Sequence, residues 1–228
     1  MYNLVSQSKS DKLIKWKDFF DSVEEELIKN QKILNDKYNY KDIIPLENEV
    51  FRAFELTNPE DIKVVIFGQD PYKTYIDGNR PTATGIAFSA NTITPSLINI
   101  FKEIGIGERE NGNLENWCKQ GVLLINSSLT ISRNEKIGDF KIWLGFLYKL
   151  IEFITEFNEE IIYMLWGKES IGLEDELKLN STIFKSSHPS PLSANKKCGD
   201  YHSFIGSNQF NKCNEKLIKL KFTPIDWS

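Results

Sequence analysis

At 228 residues, 40% hydrophobic and 26% charged, the chain has the make-up of one globular domain over residues 1–228 with room for a sizeable core. It has no apolar run long enough to span a bilayer and no leader-like apolar core before Trp16; three widely spaced cysteines, Cys118, Cys198 and Cys213, speak against a disulfide framework, a zinc site and an iron–sulfur cluster. The net charge of −4 argues at first against a nucleic-acid partner, but residues 18–61 hold five Lys and Arg against twelve acids, whereas residues 185–221 hold seven Lys against two, enough for a local positive face.

Helical periodicity runs over residues 11–30, with Leu13, Trp16, Phe20, Val23 and Leu27 on one face. A second helix is expected over 48–55. A strand over 64–67 then runs into Gly68-Gln69-Asp70-Pro71-Tyr72. There an apolar run stops at a glycine, and a carboxylate, a proline and an aromatic follow at once, the pattern of a buried strand opening into a stiff turn. Ligands bind at such strand ends in open α/β sheets. Taken alone, Asp70 is as well explained as a turn former. Thr84-Gly85-Ile86-Ala87-Phe88-Ser89 is a short run whose Phe88 reads, by itself, as core.

A helix is expected over 96–104, and a strand over 122–125 that ends at Asn126. An Asn offers a donor and an acceptor together, which suits either an Asx-turn or the reading of a base edge. A long helix over 140–157, a strand over 161–165 followed by Gly167 and Lys168, and a strand over 182–185 come next. The last strand leads into His188-Pro189-Ser190-Pro191-Leu192-Ser193, where two prolines stiffen a loop carrying a histidine, two hydroxyls and an apolar tip. A helix over 209–220 closes the pattern. Apolar strands alternating with helices imply an α/β fold: a central, mostly parallel four-stranded sheet with helices on both faces, in three layers. The motifs then fall at the carboxyl ends of strands, on one sheet edge.

Taken together and in this order, these motifs resemble the family 1 uracil-DNA glycosylases, from about Trp16 to Trp227. Residues 68–72 resemble the water-activating loop and residues 85–89 the uracil-stacking segment. Residues 123–126 resemble the base-reading strand and residues 188–193 the DNA-intercalation loop. The resemblance implies a repair enzyme that flips uracil out of single- or double-stranded DNA and hydrolyses its N-glycosidic bond. Asp70 and His188 would be catalytic, and Gln69, Tyr72, Phe88 and Asn126 would bind the base. Leu192 would be the wedge. Pro95, Ser96, Gly167, Lys168, Ser190, Pro191, Ser193 and Lys196 would contact DNA. The family needs no metal or cofactor and is targeted by a DNA-mimic inhibitor protein. A monomer, cytoplasmic or else nuclear and not bound to a membrane, is the matching expectation.

The chain also departs from the family pattern. Lys73 stands where histidine is common, and the stretch 73–84 is longer than usual and carries the turn signal Asp77-Gly78-Asn79. Lys168 replaces a usual serine, the proline-rich loop is reduced to Thr94-Pro95, residues 197–203 form a second insertion, and residues 127–142 match weakly.

Overall fold

The structure of the chain is a computed structural model that describes residues 1–107, 109–177 and 181–228. In chain order its helices and strands are Leu4–Ser8 (α1), Lys17–Ser22 (α2), Glu24–Lys37 (α3), Ile43–Ile44 (β1), Arg52–Leu56 (α4), Val64–Gly68 (β2), Tyr75–Ile76 (β3), Arg80–Pro81 (β4), Pro95–Ile104 (α5), Glu115–Cys118 (α6), Val122–Asn126 (β5), Ile131–Ser132 (β6), Phe140–Phe157 (α7), Ile162–Trp166 (β7), Lys168–Ile171 (α8), Thr182–Ser186 (β8) and Gln209–Lys219 (α9).

The four longest apolar strands form one parallel sheet in the order β5-β2-β7-β8. Their residues alternate between two cores, as the two-residue period of a strand demands. Val65, Phe67, Leu123, Ile125, Tyr163 and Leu165 face a core shared with α1–α4 and α7. Val64, Ile66, Val122, Leu124, Ile162 and Met164 face a core shared with α5, α6 and α9. This is the expected three-layer arrangement, and it explains why β2, β5 and β7 are apolar nearly throughout rather than alternating, while β8, half-buried at the sheet edge, carries Lys185. Among the described residues no helix is long and apolar enough to cross a membrane.

The first expected helix is not continuous. Residues 11–16 tighten into a 3₁₀ turn, and the chain kinks at Trp16 (φ −103°) and again at Val23 (φ −109°), before α3 runs on to Lys37. The apolar face was read correctly, since Leu13, Trp16, Phe20, Val23 and Leu27 are all buried. What breaks the helix is the packing of large rings. Trp16 lies 4.9 Å from Phe54 and donates Nε1–H to Thr57 O at 2.8 Å, while Phe20 lies 4.8 Å from Phe51. Tertiary packing of this kind overrides local propensity. The helix expected over 48–55 divides likewise, into a 3₁₀ turn at Glu47–Glu49 and α4.

The 73–84 insertion is a hairpin. Asp77 and Gly78 both have positive φ (51° and 72°), the mark of a type I′ turn, and strands β3 and β4 pair on either side. The three cysteines are free, and burial pushes the Cys118 and Cys213 thiols up to about 12, so neither is a nucleophile at neutral pH.

Candidate active site

Strands β2 and β5 end side by side, with Gly68 in register with Asn126. A side chain at Gly68 would collide with Asn126 Oδ1, so the glycine is what lets the amide lie across the end of β2. That amide makes no hydrogen bond to any described residue and faces a cavity of about 270 Å³. A space of this size is below that of drug-sized pockets, ~300–1,000 Å³, and suits one small heterocycle.

The turn after β2 supplies the next wall. Ser127 N–H and Ser128 N–H donate to Gly68 O (2.8 Å) and Gln69 O (2.9 Å), which pins the turn to the start of the β5–β6 connection. Asp70 Oδ2 accepts the Gly138 N–H at 2.9 Å. Burial raises the Asp70 carboxyl above the usual carboxylate range; the Gly138 N–H and nearby Lys73 oppose that rise, and Glu169 adds to it. Tyr72 is held by its hydroxyl, which accepts from Thr94 Oγ1 (3.0 Å) and donates to Phe88 O (3.4 Å).

Phe88 does not sit at a strand end, contrary to expectation. It lies on a loop that Ala87 N–H ties to Leu124 O at 3.1 Å. Its φ of +63° is left-handed, which costs about 1–2 kcal/mol for a non-glycine residue. The result is a ring held 4.9 Å from Trp166 and 5.8 Å from His188, on the cavity wall. No local sequence signal marks such a conformation.

His188 follows β8 and reaches the same cavity. Gly167 packs against it; a Cβ there would stand 3.0 Å from His188 Cβ, and the glycine has φ +95°. The Ser190 N–H donates to His188 Nδ1 at 3.0 Å. An acceptor Nδ1 places the ring proton on Nε2, leaving a neutral imidazole with one N–H to donate. Burial lowers the His188 pKa, with Glu169 opposing, so the neutral form is favoured at neutral pH.

Beyond His188 the cavity continues into a groove of about 440 Å³ lined by Gly167, Lys168, Ser190, Ser193 and Lys196. Leu192 stands on the 188–193 loop, 80% exposed, which no packing role explains. Pro95 is exposed at the first turn of α5, and Ser96 lines the cavity, buried, beside it. Of the expected residues, Gln69, Asp70, Tyr72, Phe88, Ser96, Asn126 and His188 line the cavity and Gly167, Lys168, Ser190, Ser193 and Lys196 the groove, whereas Pro95, Pro191 and Leu192 line neither. The basic block contributes only in part, since Lys185 is bound to both oxygens of Glu174 (2.7 and 2.8 Å). Lys136, Gly138, Thr94 and Glu169 were not anticipated. Lys136 and Gly138 lie in the weakly matched 127–142 stretch, where no pattern singled them out.

Residues 54–218 match the family model described as the uracil DNA glycosylase superfamily. The uracil-DNA glycosylase of Fusobacterium nucleatum is 36% identical over 93% of this chain and 94% of its own length. That of Azobacteroides pseudotrichonymphae is 40% identical over 85% of this chain and 87% of its own. The crystal structure of mimivirus uracil-DNA glycosylase superposes with a TM-score of 0.84 at 30% identity, covering 93% of this chain and 86% of that one. A variant of mimivirus UNG in complex with UGI superposes with a TM-score of 0.83 at 29% identity, covering 94% and 88%.

Proposed function

The chain belongs to the uracil DNA glycosylase superfamily, and from that premise we propose how its own residues divide the work of excising uracil from DNA. The reaction hydrolyses the N-glycosidic bond, releasing free uracil and leaving an abasic site. The observation that carries the assignment of roles is the convergence on one base-sized cavity of the Asp70 carboxylate, the Asn126 amide, the Phe88 ring and a neutral His188.

A uracil stacked in a duplex must first leave the helix, at a cost of a few kcal/mol. Leu192, exposed on a proline-braced loop, fills the space it vacates. Ser190, Pro191, Ser193, Gly167, Lys168 and Lys196, with Pro95 and Ser96 across the cavity, hold the backbone; such contacts fix register and carry no sequence information. In the cavity the base lies against Phe88, and Asn126 pairs with its O4 and N3–H, with Gln69 beside it. Cytosine presents a donor and an acceptor there in the opposite sense, so a fixed Asn rejects it. Tyr72 stands at the C5 edge and excludes the thymine methyl.

When the C1′–N1 bond breaks, its electron pair leaves with the base. The His188 Nε2–H stabilises the anion at O2, and Asp70 stabilises the cationic sugar. Asp70 then orients the water that attacks C1′ and takes its proton. No step here calls on a metal. The same positive groove suits an acidic, DNA-mimicking inhibitor protein, of which the UGI complex of the viral relative is the model. The test is release of free base from oligonucleotides carrying a single U, T or C, with chelator present. Release from U alone is expected; release of none, or of all three, would refute the assignment.

Three substitutions probe the specificity and the wedge. Tyr72→Ala should gain slow thymine release while keeping some uracil release, and Asn126→Asp should separately gain cytosine release, because a carboxylate accepts from the amino group. If Tyr72→Ala cleaves uracil DNA but yields no thymine above background, the gate lies elsewhere. Leu192→Ala should lower activity on duplex more than on single strands, since a single strand leaves no stack to hold open. Equal losses on both substrates would assign Leu192 to another task.

A further inference from the structure

The base cavity has a wall that the roles above leave unused. Lys73 and Lys136 both line the cavity, and neither lines the groove of Lys168, Ser190, Ser193 and Lys196. Gln69 and His188 line both spaces, whereas the two lysines line only the cavity, which sets them apart from the groove. Both are exposed. Among the described residues neither ammonium forms an ion pair, and Lys73 Nζ donates to a backbone carbonyl, Glu135 O, at 3.0 Å. The carbonyl does not neutralise the lysine, whose charge also reaches the Asp70 carboxylate.

These cations sit on braced segments. Lys73 leads into the β3–β4 hairpin, whose base is closed by the hydrogen bond from Thr74 Oγ1 to Thr82 Oγ1 at 2.8 Å. Lys136 lies on the loop that leaves β6. That loop is anchored at one end by the pairing of β6 with β1 and at the other by Asp139, which is bound to Lys37 (2.7 Å) and Tyr38 (2.6 Å). The Lys73–Glu135 bond and the Arg133 guanidinium, 4.9 Å above the Tyr75 ring, staple hairpin to loop. A charge on a braced segment loses little further entropy when it binds.

An extruded nucleotide remains tethered by a phosphodiester on each side. The groove accounts for one. On the other side Ser96 offers a buried, neutral hydroxyl, and Lys73 and Lys136 supply the positive charge. We propose that Lys73 and Lys136 form a second phosphate grip, which holds the phosphodiester on the side of the extruded nucleotide away from the Leu192 loop. The grip is built from the hairpin insertion and from the stretch where the chain least resembles its family, and it rests on the uracil-excision reading.

The experiment compares the wild type with Lys136→Gln, Lys73→Gln and Lys219→Gln on a uracil-bearing single strand, across a series of salt concentrations. Lys219 lies exposed on α9, outside both spaces, and controls for the loss of one charge. Each rim variant should lower the slope of log K against log salt by about 0.7. Each should also raise KM several-fold at 0.1 M salt and add to the other in the double variant; Lys136→Gln should leave kcat within twofold, and Lys219→Gln should match the wild type. An unchanged slope in Lys136→Gln overturns the grip. So does a fall in kcat at constant KM in Lys136→Gln, which would assign that lysine to the Asp70 chemistry instead. Wild-type uracil release is measured in the same series, and its absence would refute the excision reading itself rather than the grip.

Discussion

Asp70→Asn should fold as the wild type does, bind uracil DNA with similar affinity, and lose ~10²–10⁴ in single-turnover rate, the scale of one positioned acid–base group. The substitution is nearly isosteric. The amide oxygen of Asn can still accept the Gly138 N–H that Asp70 Oδ2 now accepts at 2.9 Å, so the turn keeps its anchor. What is lost is the negative charge, and with it stabilisation of the sugar cation and a base for the attacking water. The charge is itself held under tension. Burial and Glu169 raise the Asp70 pKa, while the Gly138 N–H and Lys73 hold it down. The rate of the wild type should therefore fall on the acid side as Asp70 protonates, starting above the pH at which an ordinary aspartate would. Because its pKa is raised in the folded chain, Asp70 also destabilises the fold at neutral pH and ceases to do so in acid. Stability and activity should thus diverge with pH at this residue. A single-turnover rate within threefold of the wild type would remove Asp70 from the chemistry.

The parts of this molecule legible in its sequence are those set by local pattern. All four long strands lie within a residue of their expected bounds, because runs such as Val64-Val65-Ile66-Phe67 are apolar throughout and end in turn residues. Helix α7 spans its expected residues, since its apolar stripe is uninterrupted over Phe140–Phe157. The site was proposed for a different reason: no one of its motifs decides a role alone, and only their order along the chain, which resembles the family, brings Asp70, Asn126 and His188 together as candidates. What could not be read depends on partners distant in sequence. The kinks at Trp16 and Val23 follow from rings supplied by Phe51 and Phe54. The left-handed Phe88 relies on Leu124 to hold its loop. The anchoring of Asp70 by Gly138 is made across 68 residues of chain separation, and Lys136 reaches the cavity from a stretch that has no strong pattern of its own.

His188→Ala should cost ~10²–10³ in single-turnover rate, the scale measured for one oxyanion donor, and His188→Gln, which keeps a side-chain N–H, should recover part of that loss. The argument turns on the proton's place in the ring. With the Ser190 N–H aimed at Nδ1 from 3.0 Å, a proton on Nδ1 would set two donors head to head. The imidazole is therefore held neutral with its one proton on Nε2, and burial lowers its pKa in the same sense. In the role proposed for it, a neutral His188 would stabilise the uracil anion without giving up its proton, and no histidinium would be needed. The sign of the pH dependence follows. If His188 acted as a cation, the rate would fall as pH rose through the ordinary histidine range near 6.5. As a neutral donor with a lowered pKa, it should leave the rate flat through that range, and protonation should matter only at lower pH. The fold, too, should lose rather than gain stability as pH drops through the ordinary histidine range, because the unfolded chain binds the proton more readily. A rate that declines between pH 6 and about 7.5 in the wild type, but not in His188→Gln, would show that the charged form is the working one and would overturn this assignment.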